Sequence, residues 1–266
     1  MVKDAEGTTD KANHPAIKAS GLKLAFGGVQ AVDDMALTLL RGEFLGLIGP
    51  NGAGKTTMFN MLAGAYRPQA GSILINGVEA SGRNAASRIG LGLGRTFQIP
   101  KPFPQMTVLE NVVTGAQNQA GESIWSNFIR YGTVKAQERA AVARARELLN
   151  FVKLSHLAQE PARVLSGGQR KLLELARVLM ADPSVILLDE PAAGVNPTLL
   201  EFIISRVIEL NSQGKSILFI EHNMDMVKRL CHRVVVMAGG KYLTEGPPQD
   251  VARNPAVIEA YLGVAA

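Results

Sequence analysis

The chain has 266 residues, with 28 Lys+Arg against 23 Asp+Glu and a formal charge of +5; its 47% apolar and 19% charged residues support a substantial core and exclude disorder as the main state. One cysteine, Cys231, excludes an intrachain disulfide and a cysteine-rich metal site. No apolar run reaches the roughly 18 residues of a membrane span, the N-terminal stretch lacks the apolar core of a secretory signal, and 5% aromatic residues offer no base-stacking platform for nucleic acid, so the expectation is a soluble, intracellular, mildly basic protein.

Residues 1–16 are polar and aperiodic and read as a disordered tail, with one domain over 17–266. Leu22, Leu24 and Phe26 alternate before Gly27-Gly28, and Met35, Leu37 and Leu39 repeat the alternation, which predicts two strands. Phe44–Ile48 is almost wholly apolar, as in a strand buried on both faces. A glycine-rich loop and a helix with Met58, Phe59, Met61 and Leu62 follow, and residues 72–75 read as a strand before an Asn76-Gly77 turn. Val108, Leu109, Val112 and Val113, and then residues 134–152, have helical spacing with no strand signal up to about residue 165. This predicts a helical subdomain over about 100–180, inserted in an α/β core. A helix from Ser166, a strand at 185–188 and a helix with Leu199, Phe202, Ile203, Val207 and Leu210 come next. The strand Ser216–Ile220 and a hairpin around Gly239-Gly240 complete an α/β fold, its sheet mainly parallel with an antiparallel β-edge.

Gly49, Pro50, Asn51, Gly52, Ala53, Gly54, Lys55 and Thr56 match G-x-x-x-x-G-K-[ST] between an apolar strand and a helix. Glycines let successive backbone N–H groups curl into an anion-binding nest, and the helix N-terminus adds a positive dipole end. Lys55 is suited to bridge β- and γ-phosphate oxygens and the Thr56 hydroxyl to ligate Mg²⁺. With Thr57 behind them, these residues form the candidate nucleotide site of a P-loop NTPase. Asp189 and Glu190 close an apolar strand, where two carboxylates are costly as ordinary core. The natural division is Asp189 for the metal and Glu190 for polarising the attacking water.

Ser166, Gly167, Gly168 and Gln169 open the next helix, whose Leu172, Leu175, Ala176 and Leu179 form an apolar stripe. Ser166 alone reads as an N-cap. Together with bare glycine N–H groups and a helix dipole it reads as a second anion site. Two phosphate-binding surfaces on one chain suggest a nucleotide shared between two protomers.

In this order the residues resemble the ATP-binding cassette ATPases, with a RecA-like core, from about Leu22 to Leu262. Gln98 in Thr96-Phe97-Gln98 matches the family's Q-loop, His222 after Ile220-Glu221 its switch histidine, and Phe26 its adenine-stacking aromatic. The resemblance implies a head-to-tail dimer holding two ATP molecules between phosphate loop and signature. It also implies Glu190 as general base, His222 on the γ-phosphate, and Gln98 touching Mg²⁺ and sensing a membrane partner. Two positions depart from the pattern: Phe26 stands where Tyr is common, keeping the π-face, and Asn196 stands where the family has Asp. His14, His156, His232, Trp125 and Cys231 carry no motif.

The chain has one cassette and no span, so separate permease subunits must supply the pathway. That resembles importers assembled from separate polypeptides and implies a place on the cytoplasmic face of the membrane, with a periplasmic substrate-binding protein acting indirectly. Gly94-Arg95-Thr96-Phe97-Gln98, Glu221-His222-Asn223-Met224, residues 192–197 and the ending 254–263 resemble the ATPases of high-affinity branched-chain amino acid importers. Urea or short-chain amide importers and the lipopolysaccharide-export ATPase share much of this pattern. Non-transport P-loop ATPases are the other class: chromosome-type cassettes would show coiled coils or zinc cysteines, and GTPases an Asn-Lys-x-Asp sequence. No nucleic-acid partner is expected.

Overall fold

The computed structural model describes residues 15–96, 100–117, 131–221 and 223–262. Most of the tail reading (1–14) falls outside them, as do Gln98, Trp125 and His222. The chain divides into two compact units, one formed by residues up to 95 with 184–190 and those from 208 on, the other by 96–183 with 191–207. No helix among the described residues is long and apolar enough to cross a membrane.

The first unit holds two sheets. In the antiparallel one, β1 (Ile17–Phe26) lies between β2 (Val29–Leu39) and β4 (Ala70–Ile75), with the short β5 (Val78–Glu79) beyond β4. β1 starts five residues earlier than the Leu22 alternation predicts. Ile17 and Lys18 pair with Ile75 and Leu74, Ala16 is buried, and its carbonyl accepts from the Asn76 N–H at 3.0 Å. The polar Lys18 and Ser20 hide this extension from a hydrophobicity pattern. Ala16 is therefore held against the first sheet.

The larger sheet has the order β10-β9-β3-β8-β7-β6. Its members are β3 (Phe44–Ile48), β6 (Leu93–Arg95), β7 (Val185–Asp189), β8 (Ser216–Ile220), β9 (Arg233–Ala238) and β10 (Lys241–Gly246). All neighbouring pairs are parallel except β9 with β10. Every residue of β3, β7 and β8 is buried, which is why these segments read as unbroken apolar runs. β6 escapes a sequence reading because three residues, one of them Gly94 and one Arg95, carry no period. Between strands, α1 (Lys55–Ala63) buries Met58, Phe59, Met61 and Leu62 in one core with residues of both sheets.

Register places the site. Ile220 pairs with Leu47 on one side and Asp189 on the other, so the C-terminal ends of β3, β7 and β8 share one edge. Ligands of open parallel sheets bind at that edge.

The second unit is helical. It contains α3 (Val108–Val113), α4 (Tyr131–Phe151), α5 (Gly167–Met180) and the start of α6 (Pro197–Ser212), whereas α2 (Ala85–Ile89) belongs to the first unit. Thr107 and Glu110 close the N-terminus of α3 with a reciprocal capping box. Among the described residues of this unit, strand-type pairing is limited to the Thr107–Pro161 bridge. Arg139, Arg144 and Arg146 on α4 are exposed, which accounts for part of the positive surplus.

Candidate functional site

The loop after β3 can be built only with glycine at its two ends. Gly49 has φ 150° and Gly54 has φ 93°. A Cβ on Gly49 would lie 2.1 Å from the Met237 carbonyl oxygen, and one on Gly54 2.3 Å from that of Ala31; no larger residue fits either place. Between them Pro50 accepts from the Ala53 N–H at 3.2 Å, Ala53 is buried, and Asn51 and Gly52 are exposed. Gly54 stands at the start of α1 in the left-handed conformation, and no side chain caps the helix there. The positive end of α1 therefore faces the loop with Lys55, Thr56 and Thr57 as its first turn.

Lys55 folds over this loop, its Nζ donating to the Gly49 carbonyl at 2.6 Å and the Pro50 carbonyl at 2.8 Å. Burial holds its pKa below that of an ordinary lysine, and the charge of Glu190 acts in the opposite direction. A partly desolvated ammonium pinned on loop carbonyls has only a short distance to move to meet an anion in the nest, and its charge counts for more there than in water.

At the neighbouring strand end, the buried Asp189 carboxylate is paired with Arg95, Nη2 to Oδ2 at 3.1 Å. The same guanidinium donates through Nη1 to Asn60 Oδ1 on α1 at 2.7 Å and lies 5.3 Å from the Phe59 ring centre. Arg95 thus ties β6, α1 and the tip of β7 together. Arg95 has no role in the sequence motifs, although a carboxylate at the end of a buried strand such as Asp189 signals the need for a counter-ion. Glu190 has φ 44°, a conformation uncommon for a side chain of its size, and its N–H donates to the Ile220 carbonyl at 3.2 Å. Strain of this kind costs about 1–3 kcal/mol and gathers at functional positions. The hydroxyl of Thr56 and the carboxylate of Asp189 are hard oxygen donors, the set that suits Mg²⁺.

Phe26, 46% exposed, meets Tyr66 edge-on with ring centres 5.4 Å apart and planes at 68°. In the second unit, Ser166 and Gln169 form a reciprocal capping box: Ser166 Oγ accepts from the Gln169 N–H at 3.3 Å, and Gln169 Oε1 from the Ser166 N–H at 2.9 Å. Ser166 and Gly167 are exposed at the positive end of the α5 dipole. Leu172, Leu175, Ala176 and Leu179 are buried, as the stripe predicts. Gly168 lies under the Leu199 side chain, where a Cβ would come within 2.1 Å of Leu199 Cδ2 and push that side chain aside.

The structure brings the phosphate loop, Asp189 and Glu190 to one sheet edge, while Gln98 and His222 lie outside the described residues. Their flanks are described: Arg95 ends β6 and Thr96 is buried; Glu221 is buried and Asn223 Oδ1 caps α7 (Met224–Leu230), accepting from the N–H of Asp225 and of Met226. Asn196 Oδ1 accepts from the Leu199 N–H at 2.9 Å, a helix-capping use within its own chain. His232 Nδ1 accepts from the Phe44 N–H at 2.9 Å. Cys231 is buried, which raises its thiol pKa, so it packs rather than reacts.

Residues 32–193 match the ABC transporter family, and residues 243–266 match the branched-chain amino acid ATP-binding cassette transporter C-terminal family. The chain is 38% identical over 247 residues to a probable branched-chain amino acid transport ATP-binding protein, LivG, of Archaeoglobus fulgidus, covering 93% of this chain and 95% of that one. It is 37% identical to the high-affinity branched-chain amino acid transport ATP-binding protein LivG of Escherichia coli strain K12, covering 95% of this chain and all of the other (100%). Among solved structures, a nucleotide-free ATP-binding cassette from an ABC transporter is similar with a TM-score of 0.80 at 35% identity, over 92% of this chain and 98% of that one. An ATP-binding cassette in its ADP conformation gives a TM-score of 0.78 at 33% identity, over 94% and 99%.

Proposed function

Because this chain belongs to the ABC transporter family, as an ATP-binding and ATP-hydrolysing subunit, we propose that it powers the import of branched-chain, hydrophobic amino acids. The observation that carries the substrate is the C-terminal stretch 243–266, which matches the branched-chain cassette family over and above the general cassette match at 32–193. Relatives named for branched-chain amino acid transport, similar over nearly the whole chain, support the same reading.

In this reading the two units form one cassette over 17–266, and two cassettes meet head to tail. The phosphate loop of one, Gly49 to Thr57, takes the β- and γ-phosphates of ATP on its N–H groups and Lys55. Phe26 takes the adenine face. Ser166, Gly167, Gly168 and Gln169 of the other cassette complete the γ-phosphate's surroundings. Mg²⁺, when bound, supplies charge neutralisation of the phosphates. Thr56, Asp189 and Gln98 would hold it, with Arg95 fixing the Asp189 carboxylate. Glu190 orients and deprotonates the attacking water, and His222 holds the γ-phosphate geometry. The strained backbone of Glu190 and its bond to the Ile220 carbonyl fix where that carboxylate starts.

The partners in this proposal are integral-membrane permease subunits, a second cassette (a copy of this chain or a paralogue) and, indirectly, a periplasmic substrate-binding protein. The chain then works on the cytoplasmic face of the membrane. Proteoliposomes carrying the permeases that copurify with this chain test it directly. ATP-driven uptake of leucine, isoleucine and valine is expected. Uptake of urea or a short amide instead, with none of leucine, overturns the substrate assignment and leaves the ATPase assignment standing.

A further inference from the structure

The Phe26 ring stands on a loop that offers it little. It ends β1, it is 46% exposed, and Gly27 and Gly28 follow it with open space around both. An aromatic platform so placed has free rotamers, and freezing them on binding a base costs affinity. Tyr66 changes this. Its ring meets Phe26 at 68° with centres 5.4 Å apart, the edge-to-face geometry that aromatic quadrupoles favour.

Tyr66 is itself held where the phosphate-loop helix ends. Gly64 terminates α1 in the left-handed conformation, and the N–H groups of Ala65 and Tyr66 both donate to the Asn60 carbonyl, at 2.9 and 3.2 Å. Three residues on, Gln69 stitches the same loop to β1. Its N–H donates to the Lys23 carbonyl at 2.8 Å, its Oε1 accepts from the Ala25 N–H at 3.0 Å, and its Nε2 donates to the Ala25 carbonyl at 3.4 Å. The residue just before Phe26 is therefore pinned from the loop that carries Tyr66. One end of α1 faces the phosphate loop; its other end supports the ring that supports Phe26.

We propose that Tyr66 is a positioning residue for the nucleobase: its ring edge holds Phe26 ready to stack, and couples the base platform to the phosphate-loop helix. This rests on the reading of Phe26 as the adenine platform. Tyr66 acts through Phe26, so its contribution exists only while Phe26 is present, and only for a ligand with a base. An edge-to-face aromatic pair accounts for about a two- to tenfold effect on affinity.

The test is equilibrium titration of the full chain with ATP and, separately, with inorganic tripolyphosphate, using wild type, F26A, Y66A, Y66F and F26A/Y66A. Tyr66 is 40% exposed, so its truncation leaves the core intact; a thermal melt of each variant checks this. Expected are a two- to tenfold loss of ATP affinity in Y66A, recovery in Y66F, no further loss when Y66A is added to F26A, and unchanged tripolyphosphate binding throughout. If Y66A binds ATP as wild type does while F26A is weakened, Tyr66 has no such role. A loss for Y66A that is equal for ATP and tripolyphosphate, or that adds fully to F26A, overturns it too, because Tyr66 would then act on the loop in general. If F26A itself binds ATP normally, the platform reading falls and this inference falls with it.

Discussion

The two helix N-termini proposed to meet phosphate in this molecule are finished in opposite ways. α1 begins at Gly54 in the left-handed conformation, with no side chain closing its first turn. α5 begins at Ser166, where Ser166 and Gln169 close the turn on each other. An uncapped N-terminus leaves backbone donors open to an anion, and the proposed function gives that place, with the glycine loop and Lys55, to a polyphosphate. At the α5 end the capping box satisfies the Ser166 and Gln169 N–H groups. That end offers only the Ser166 hydroxyl hydrogen, exposed glycine backbone and a dipole, which is weak attraction by itself. In the proposed function the contrast becomes a division of labour: the phosphate loop would bind nucleotide within one protomer, and the signature would add its share only when a second protomer brings it up.

The contrast can be broken at several points. Glu190→Gln removes the base at the phosphate-loop edge without altering the loop. Steady-state hydrolysis should fall by about 10²–10⁴-fold while ATP affinity stays within a few-fold of wild type. Lys55→Ala should weaken ATP binding by itself about ten- to a hundredfold, since it deletes a charge-assisted contact; calorimetry on the isolated chain reads this. If affinity is unchanged, the α1 end is not the nucleotide site. Changes at α5 should leave nucleotide binding by the isolated chain alone. Ser166→Ala should cost about 1 kcal/mol of stability through the lost cap, seen as a lowered denaturation midpoint. ATP affinity of the isolated chain should be untouched. Ser166→Asp separates cap from ligand: Asp caps as well as Ser, so stability should stay within a few tenths of a kcal/mol, while its charge repels a triphosphate brought against it.

Legibility from sequence follows the same division. Motifs made of local backbone geometry were readable, because Gly49 and Gly54 are dictated by steric conflicts that no other residue survives, and Ser166 with Gln169 is a capping pair three residues apart. Fully buried parallel strands were readable as apolar runs. What escaped depends on partners far apart in the chain. Arg95 and Asp189 are 94 residues apart, Phe26 and Tyr66 forty, and the first residues of β1 gain their burial from pairing with β4. No local period records such pairs. The helix α7 is hard to read for another reason: it is seven residues long, too short for a clear 3.6-residue period.

The claim that the α5 end works only across a dimer has one direct test. Sedimentation velocity on Glu190→Gln, with and without saturating ATP, should show a monomer without nucleotide and a dimer with it. The same variant carrying Ser166→Asp should stay monomeric at saturating ATP although it still binds the nucleotide. A Glu190→Gln chain that remains monomeric with ATP, or a double variant that dimerises as readily as the single one, would contradict the shared site.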